Sequence, residues 1–321
     1  MIELKHGKKI LGEDMQKTLT GNSFSKRTWK YRYLYALLLP ALILVLVFHY
    51  LPMYGIVIAF KDFKLVKGIA GSDWIGFTNF RKLLMSPSFY EVIRNTIVIS
   101  LLKLIFTFPA PIILALMFNE LLNQKFKKLV QTISYLPYFM SWVVIGGILI
   151  NILSPERGIV NYIIKLFGGG GIYFLADSSW FRPVLVMSSI WQGAGWGSVL
   201  YLASITGIDS ELYEAAKIDG ANRLQQAMRI TVPLMYPVIT VMLILSIGNI
   251  LNAGFDQVFN LYTPPVYSVA DILDTYIYRR GLVESDYGFA TAVGLFKNVI
   301  GFSLVVGSNY VSKKISEYGV W

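Results

Sequence analysis

Six stretches of this 321-residue chain are almost wholly apolar, near 33–59, 92–118, 132–153, 182–206, 234–258 and 290–311. Between them lie shorter segments where charged residues, Gly and Pro collect. A helix rises ~1.5 Å per residue, so about 20 apolar residues cross a hydrocarbon core of about 30 Å. The pattern therefore predicts an all-α integral membrane protein with six transmembrane helices. A polar segment, residues 1–32, precedes the first run and carries Lys5, Lys8, Lys9, Lys17, Lys26, Arg27, Lys30 and Arg32. It has no short apolar core and no small-residue cleavage site, so the first run reads as a retained helix rather than a signal peptide.

An even number of spans puts both termini on one side, and the distribution of Lys and Arg selects which. The N-terminal segment is basic, the 119–131 loop holds Lys125, Lys127 and Lys128 against the single acid Glu120, and the tail opens with Lys313 and Lys314. These are expected in the cytoplasm. The loops 60–91, 154–181 and 259–289 mix their basic residues with Asp73, Asp177, Asp271, Asp274 and Asp286 and are expected outside.

Composition agrees with a membrane location: 55% of residues are hydrophobic, 15% are charged, and mean hydropathy is +0.55. With no cysteine and only His6 and His49, a disulfide framework is excluded and a histidine metal site has no ligand set. The net charge of +10 is explained by cytoplasmic flanks, since no soluble module interleaves basic and aromatic residues as nucleic-acid binding requires.

One segment breaks the pattern. YEAAKIDGANRLQQAMRITVP, residues 213–233, is charged and Gly-broken, yet it sits between two of the most apolar runs. Leu212, Ala215 and Ala216 recur at helical spacing behind a capping Asp209 or Ser210, and Asp219-Gly220 signals a turn. A second short helix fits 221–231, with Pro233 at the entry to the next span. A helix–turn–helix at the membrane face, mixing small, apolar and charged side chains, suits docking into a groove on another protein better than burial in lipid.

Glu214-Ala215-Ala216, then Asp219-Gly220-Ala221, then Gln225, Ile230 and Pro233 resemble the EAA loop of binding-protein-dependent ABC importer permeases, in the form found in the carbohydrate-importer branch. The segment departs from that form in two ways: Ala227 and Met228 stand where an aromatic residue is usual within the second helix, and Val232 replaces the Leu before the Pro. LLPALILVLVFHYLPMYGIVIAFKDF, YLPYFMSWVVIGGI, NAGFDQVFNLY, YGFATAVGLFK and the terminal GVW are similar to permeases that import oligosaccharides, including acidic ones derived from polysaccharides. The resemblance implies a type I importer permease fold, with a coupling loop at 207–233 inside a six-helix domain spanning 33–321. It also implies four partners: a second, homologous permease, two cytoplasmic ATPases that use ATP and Mg, and an extracytoplasmic solute-binding protein. Glu214 is then expected to pair with a basic group on the ATPase, Gly220 to allow the tight turn, and Asp219 to cap the second helix.

The chain has no G-x-x-x-x-G-K-[ST] phosphate cradle, so it binds no ATP itself and energy must arrive from another subunit. Lys103 and Lys297 fall inside apolar runs, where a charge faces protein or water; each could attract an acidic sugar, pair with an acid on the partner permease, or snorkel. Asn249, Asn252 and Asp256 sit at i, i+3 and i+7, which on a helix is one polar stripe. It is expected either to line a sugar path, with Phe255 and Phe259 as stacking surfaces, or to bond neighbouring helices. GAGWG at 193–197 is expected to serve close helix packing rather than a gate. Two further functions stay open: permease for a non-sugar solute such as an amino acid or phosphate, and an intramembrane enzyme, for which no nucleophile–base pair or metal cluster is apparent.

Overall fold

The computed structural model describes residues 29–316, so all but the end of the basic 1–32 segment lies outside the described residues. The chain divides into a unit ending at Val57 and a second beginning at Ile58. The first expected span is helical: α1 (Arg32–Phe60), whose last three residues belong to the second unit, runs on through Pro40 and changes to a π turn at Leu46–Tyr50.

The second unit opens with a two-stranded antiparallel ribbon, β1 (Lys61–Asp62) and β2 (Asp73–Trp74), and a short helix α2 (Thr78–Met85). The second expected span lies within α3 (Pro87–Thr107) and α4 (Pro109–Glu120), which together form one apolar helix of 34 residues. The fourth lies in α8 (Ser178–Thr206), whose first turn is capped by the Asp177 side chain accepting from Ser179 N–H. The sixth lies in α14 (Tyr287–Ser316). By length and apolar content three helices qualify as spans, or up to five when each bent pair is taken as one. The 29-residue α8 is long enough, but it does not reach the apolar content of the others.

Two expected spans are not straight. In the third, α5 (Gln124–Tyr135) continues as a 3₁₀ turn to Phe139, the chain extends at Met140 and Ser141, and α6 (Trp142–Ile152) leaves at 105°. The Ser141 hydroxyl accepts from Val144 N–H and starts the new helix. In the fifth, α11 (Tyr236–Gly248) stops ten residues before the expected end of the span at 258, and α12 (Phe255–Leu261) starts afresh after Gly254. The single polar stripe expected over Asn249, Asn252 and Asp256 therefore does not form, because the backbone leaves the helix between the first and the last of them. A Gly, two Asn and a second Gly within seven residues (Gly248, Asn249, Asn252, Gly254) outweigh the surrounding apolar periodicity.

α8 runs through the middle of the unit and packs on α3, α4 and α5. One core cluster, with Ile99, Phe181, Leu185, Val258 and Leu261, lies where α3, α8 and α12 meet. A second, with Leu83, Phe89, Leu273, Phe289 and Val293, joins α2 and α3 to α13 (Leu273–Tyr278) and α14. A third, with Ala115, Tyr201, Ile205 and Met235, joins α4, α8 and the start of α11. The segment before α13 is pinned by polar groups. Asn95 donates to Ser268 C=O at 3.0 Å and accepts from Arg182 at 2.9 Å, while Thr96 Oγ1 accepts from Leu273 N–H at 2.9 Å.

Gly195 in the GAGWG run meets α5 backbone to backbone: a Cβ there would stand 1.9 Å from the Ser134 carbonyl oxygen, and one at Gly197 would stand 3.0 Å from the Pro111 ring. Gly193 has open space. Close packing is thus what the second and third glycines provide. Since a carbonyl cannot rotate away as a side chain can, Gly195→Val is expected to destabilise the protein by about 3 kcal/mol or more, whereas Gly193→Ala is expected to be near neutral. Thermal unfolding of the two detergent-solubilised variants checks this, and equal melting temperatures would remove the packing role.

Candidate coupling loop and translocation path

The segment between α8 and α11 folds as the expected helical hairpin. The Asp209 carboxylate accepts from Glu211 N–H at 3.0 Å and starts α9 (Ser210–Ile218). The helix ends through Gly220 at φ +81°: Ala221 N–H reaches Ala216 C=O at 2.8 Å and Gly220 N–H reaches Lys217 C=O at 3.1 Å. This is a left-handed C-terminal cap, a conformation in which a side chain is strained. The space around a Cβ at Gly220 is open, so the need for Gly is conformational rather than steric.

The second helix, α10 (Arg223–Leu234), includes a π turn at Ala227–Thr231. Asp219 does not cap it, since it is already the last residue of the first helix's exit turn. Asn222 does so instead: its side chain accepts from Gln225 N–H at 2.9 Å, and the Gln225 side chain accepts from Asn222 N–H at 2.8 Å. This reciprocal pair satisfies two free helix-start donors. The legs are tied where the Tyr213 and Thr231 hydroxyls meet at 2.9 Å, and the hairpin is tied to α4 where Arg223 meets Glu120 at 3.1 Å.

Glu214 and Ala215 are exposed, Ala216, Ala221 and Ile230 are half-buried, and Pro233 is exposed at the bend into α11, where the axis turns by 65° around the buried Met235. Glu214 has no ion-pair partner among the described residues. Ile218 and Leu224 are 88% and 72% exposed. The hairpin thus presents a carboxylate without an ion-pair partner among the described residues together with uncovered aliphatic side chains.

The second site lies at the break after α11. A cavity of about 270 Å³ is lined by Ser100, Lys103 and Thr107 from α3 and by Ser246, Asn249 and Asn252 from the end of α11 and the turn beyond. Three of the expected path residues, Lys103, Asn249 and Asn252, thus come together by way of a turn rather than a helix face. Asp256 is exposed and does not line this cavity. Phe255 and Phe259 stack with ring centres 5.2 Å apart, and both rings lie against Tyr278.

The Lys103 ammonium donates to Ala253 C=O at 2.6 Å and to Gln257 Oε1 at 2.5 Å. Gln257 is buried and saturated, because its oxygen also accepts from Ser189 Oγ at 3.0 Å and its amide donates to Leu185 C=O and Ser188 Oγ, each at 2.8 Å. Gly254, at φ +95°, makes room for the lysine, since a Cβ there would come within 2.8 Å of Nζ. Lys297 behaves differently. It forms an ion pair with Asp274 of this same chain, a role outside the three left open for it: acidic sugar, partner-permease acid or snorkelling.

Across α13, Arg279 holds Asp271 through 2.5 and 3.2 Å bonds. Those bonds raise the Arg279 guanidinium above its ordinary range. Burial foremost pushes the Tyr262 phenol up to about 12, so neither group changes charge near neutral pH. Sequence reading missed Gln257, Ser188, Ser189, Ser100 and Thr107. The available signal was the Asn-Ala-Gly sequence at 252–254, turn chemistry inside an apolar run, after which the next helix turns Gln257 inward.

Comparison with known proteins places these features. Over 290 residues, about 90% of both chains, the sequence is 44% identical to Protein LplB of Bacillus subtilis (strain 168). It is 45% identical, over 90% of both chains, to that organism's polygalacturonan/rhamnogalacturonan transport system permease protein YteP. A chain of the crystal structure of a bacterial alginate ABC transporter, in complex with an alginate pentasaccharide-bound periplasmic protein, superposes with a TM-score of 0.85 at 42% identity. That match covers 93% of this chain and 100% of the other. With residues 107–316 matching the family model described as binding-protein-dependent transport system inner membrane component, the chain belongs to that family of multi-pass ABC transporter permeases, which are not themselves enzymes.

Proposed function

We propose that this chain is one of two homologous permease subunits of an ATP-driven importer. The importer carries an oligosaccharide, including acidic oligosaccharides cut from polysaccharides, inward across the bacterial cell (inner) membrane. The observation that carries the reading is the exposed hairpin of α9 and α10, a docking surface on a chain that has no nucleotide cradle of its own. Two cytoplasmic ATPases that use ATP and Mg are its partners, and an extracytoplasmic solute-binding protein delivers the sugar. The substrate class is supported by the relatives, one described as a polygalacturonan and rhamnogalacturonan permease and one as part of an alginate transporter.

In this reading the membrane is crossed six times, with α8 as the least apolar span and both termini in the cytoplasm. Closure of the ATPase pair moves the hairpin. Tyr213–Thr231 makes its two legs travel together, the Pro233–Met235 bend passes the displacement to α11, and Arg223–Glu120 passes it to α4. α4 continues into α3, so both walls of the cavity at Lys103, Asn249 and Asn252 move when the hairpin moves. That is the geometry of an alternating-access switch. Asn249 and Asn252 offer amide groups for sugar hydroxyls leaving water, and Phe255 with Phe259 offers an apolar face for a sugar ring.

Reconstituted with its partner permease, ATPases and binding protein, the complex is expected to hydrolyse ATP faster when the binding protein is loaded with oligosaccharide. Stimulation by a loaded amino-acid or phosphate binding protein instead would reassign the substrate. Glu214→Ala removes one member of an interfacial charge pair, and such losses cost about 2–5 kcal/mol. Stimulated hydrolysis and uptake should therefore fall at least about tenfold, with sugar capture by the binding protein unchanged. Gly220→Val, strained at φ +81°, should lower both in the same direction. Wild-type coupling in both variants would end the lever role.

The topology has its own test. The chain has no native cysteine, so Lys217→Cys and Gly170→Cys can be labelled singly with a membrane-impermeant thiol reagent. The first should react only from the cytoplasmic side and the second only from outside, and the opposite pattern would invert the orientation.

A further inference from the structure

The break between α11 and α12 leaves one feature that sugar hydroxyls do not account for: a lysine charge near the middle of a span, aimed at a cavity and without a counter-ion. Among the described residues no carboxylate lies within ion-pair distance of Lys103. Its two protein bonds go to neutral acceptors, Ala253 C=O and Gln257 Oε1. An ammonium has three donors, and Gln257 has no free valence with which to take the third. Lining the same cavity, Ser100 Oγ and Thr107 Oγ1 are shielded from solvent and have no hydrogen-bond partner.

Such hydroxyls ordinarily bond to their own helix backbone or to a neighbour, as Thr96 and Ser188 do in this chain. A lysine without an acid and two idle hydroxyls two turns apart on α3 thus face the Asn249 and Asn252 amides, and Leu104, Phe108 and Ile250 complete the lining. The hydroxyls and amides both donate and accept and would serve any sugar, but a neutral sugar gains little from the net positive charge. A carboxylate takes donors alone, and binds more strongly to a charged one.

We propose that this cavity is a uronate subsite, in which Lys103 binds the carboxylate of an acidic sugar residue while Ser100, Thr107, Asn249 and Asn252 take its remaining oxygens. The subsite makes the permease itself selective for acidic over neutral oligosaccharides, in addition to whatever selection the binding protein exercises. Gln257 and Ala253 are positioning groups: they hold the ammonium at the cavity wall, and Gly254 is required because any side chain there would displace it. This inference rests on the importer reading above.

The test uses the complete reconstituted transporter with its binding protein and two probes. These are an oligogalacturonate and the same oligomer partially methyl-esterified, with the degree of esterification chosen so that the binding protein still loads. In the wild type both probes should stimulate ATP hydrolysis and uptake, the acid more strongly. Lys103→Met is expected to lower uptake of the acid at least tenfold and that of the ester less than threefold, and Lys103→Arg should recover most of the loss. Thr107→Val should shift the same ratio in the same direction by a smaller factor.

Equal loss of acid and ester in Lys103→Met, or no loss of either, would overturn the subsite. Assembly by Lys103→Arg but not by Lys103→Met would also overturn it, by assigning the charge to an acid on the partner permease. Should neither variant assemble, Thr107→Val decides by whether its acid-to-ester ratio moves. A wild-type complex that answers to neutral oligosaccharides alone overturns the subsite and leaves the importer reading standing. One that answers to no carbohydrate removes both.

Discussion

In a hydrocarbon interior every backbone N–H and C=O needs a partner from the protein or from a water-filled cavity, and this constraint decides where a spanning helix can be interrupted. The turn from Asn249 to Gly254 is such an interruption. It is tolerated because α3 and α8 supply what the lost helix does not: Lys103 donates to the Ala253 carbonyl, and Gln257, the third residue of the new helix, is anchored on α8 through Leu185, Ser188 and Ser189. Remove the lysine and the carbonyl is orphaned; remove the glycine and the lysine cannot approach. The break, the charge and the cavity are therefore one arrangement.

The same break shapes how motion can pass. A straight helix from Pro233 to residue 258 would transmit a push from the hairpin across the whole membrane. A helix that stops at Gly248 delivers it to the turn, where the cavity lies, while α12 stays fixed to α8 by Gln257. The hairpin also holds α4 through Arg223 and Glu120, an exposed pair of modest worth alone but placed at the end of the helix that carries Lys103. The hairpin is thus joined to both walls of the cavity, the connection that the proposed lever requires.

How much of this was legible in the sequence follows from the physics of each signal. The membrane class and most helix positions came from apolar runs, because lipid demands them of every exposed residue. The coupling hairpin was readable because its turn depends on local chemistry, Asp209 at the start and Gly220 at the exit, although the second cap was misread: Asp219 belongs to the first helix's ending, and Asn222 with Gln225 forms the box. The path was half readable. Lys103, Asn249 and Asn252 do meet, but the helical spacing invoked to group Asn249 and Asn252 with Asp256 does not exist. Apolar content cannot report a turn whose polar groups are satisfied by residues some 150 positions away.

The two lysines inside apolar runs show why a pattern alone could not assign them. Burying an ammonium in a membrane costs roughly 3 kcal/mol on insertion scales, and the chain offsets that cost in two ways. Lys297 has Asp274 on its own chain, which cancels the charge and makes the pair a structural strut between α13 and α14. Among the described residues Lys103 has only dipoles, which stabilise an ammonium without cancelling it. A sequence gives both residues the same environment, whereas the fold gives one a counter-ion and leaves the other a net charge beside unpartnered hydroxyls. A charge held by neutral groups stays open to an anion whereas one already paired with a carboxylate does not, and that difference separates Lys103 from Lys297.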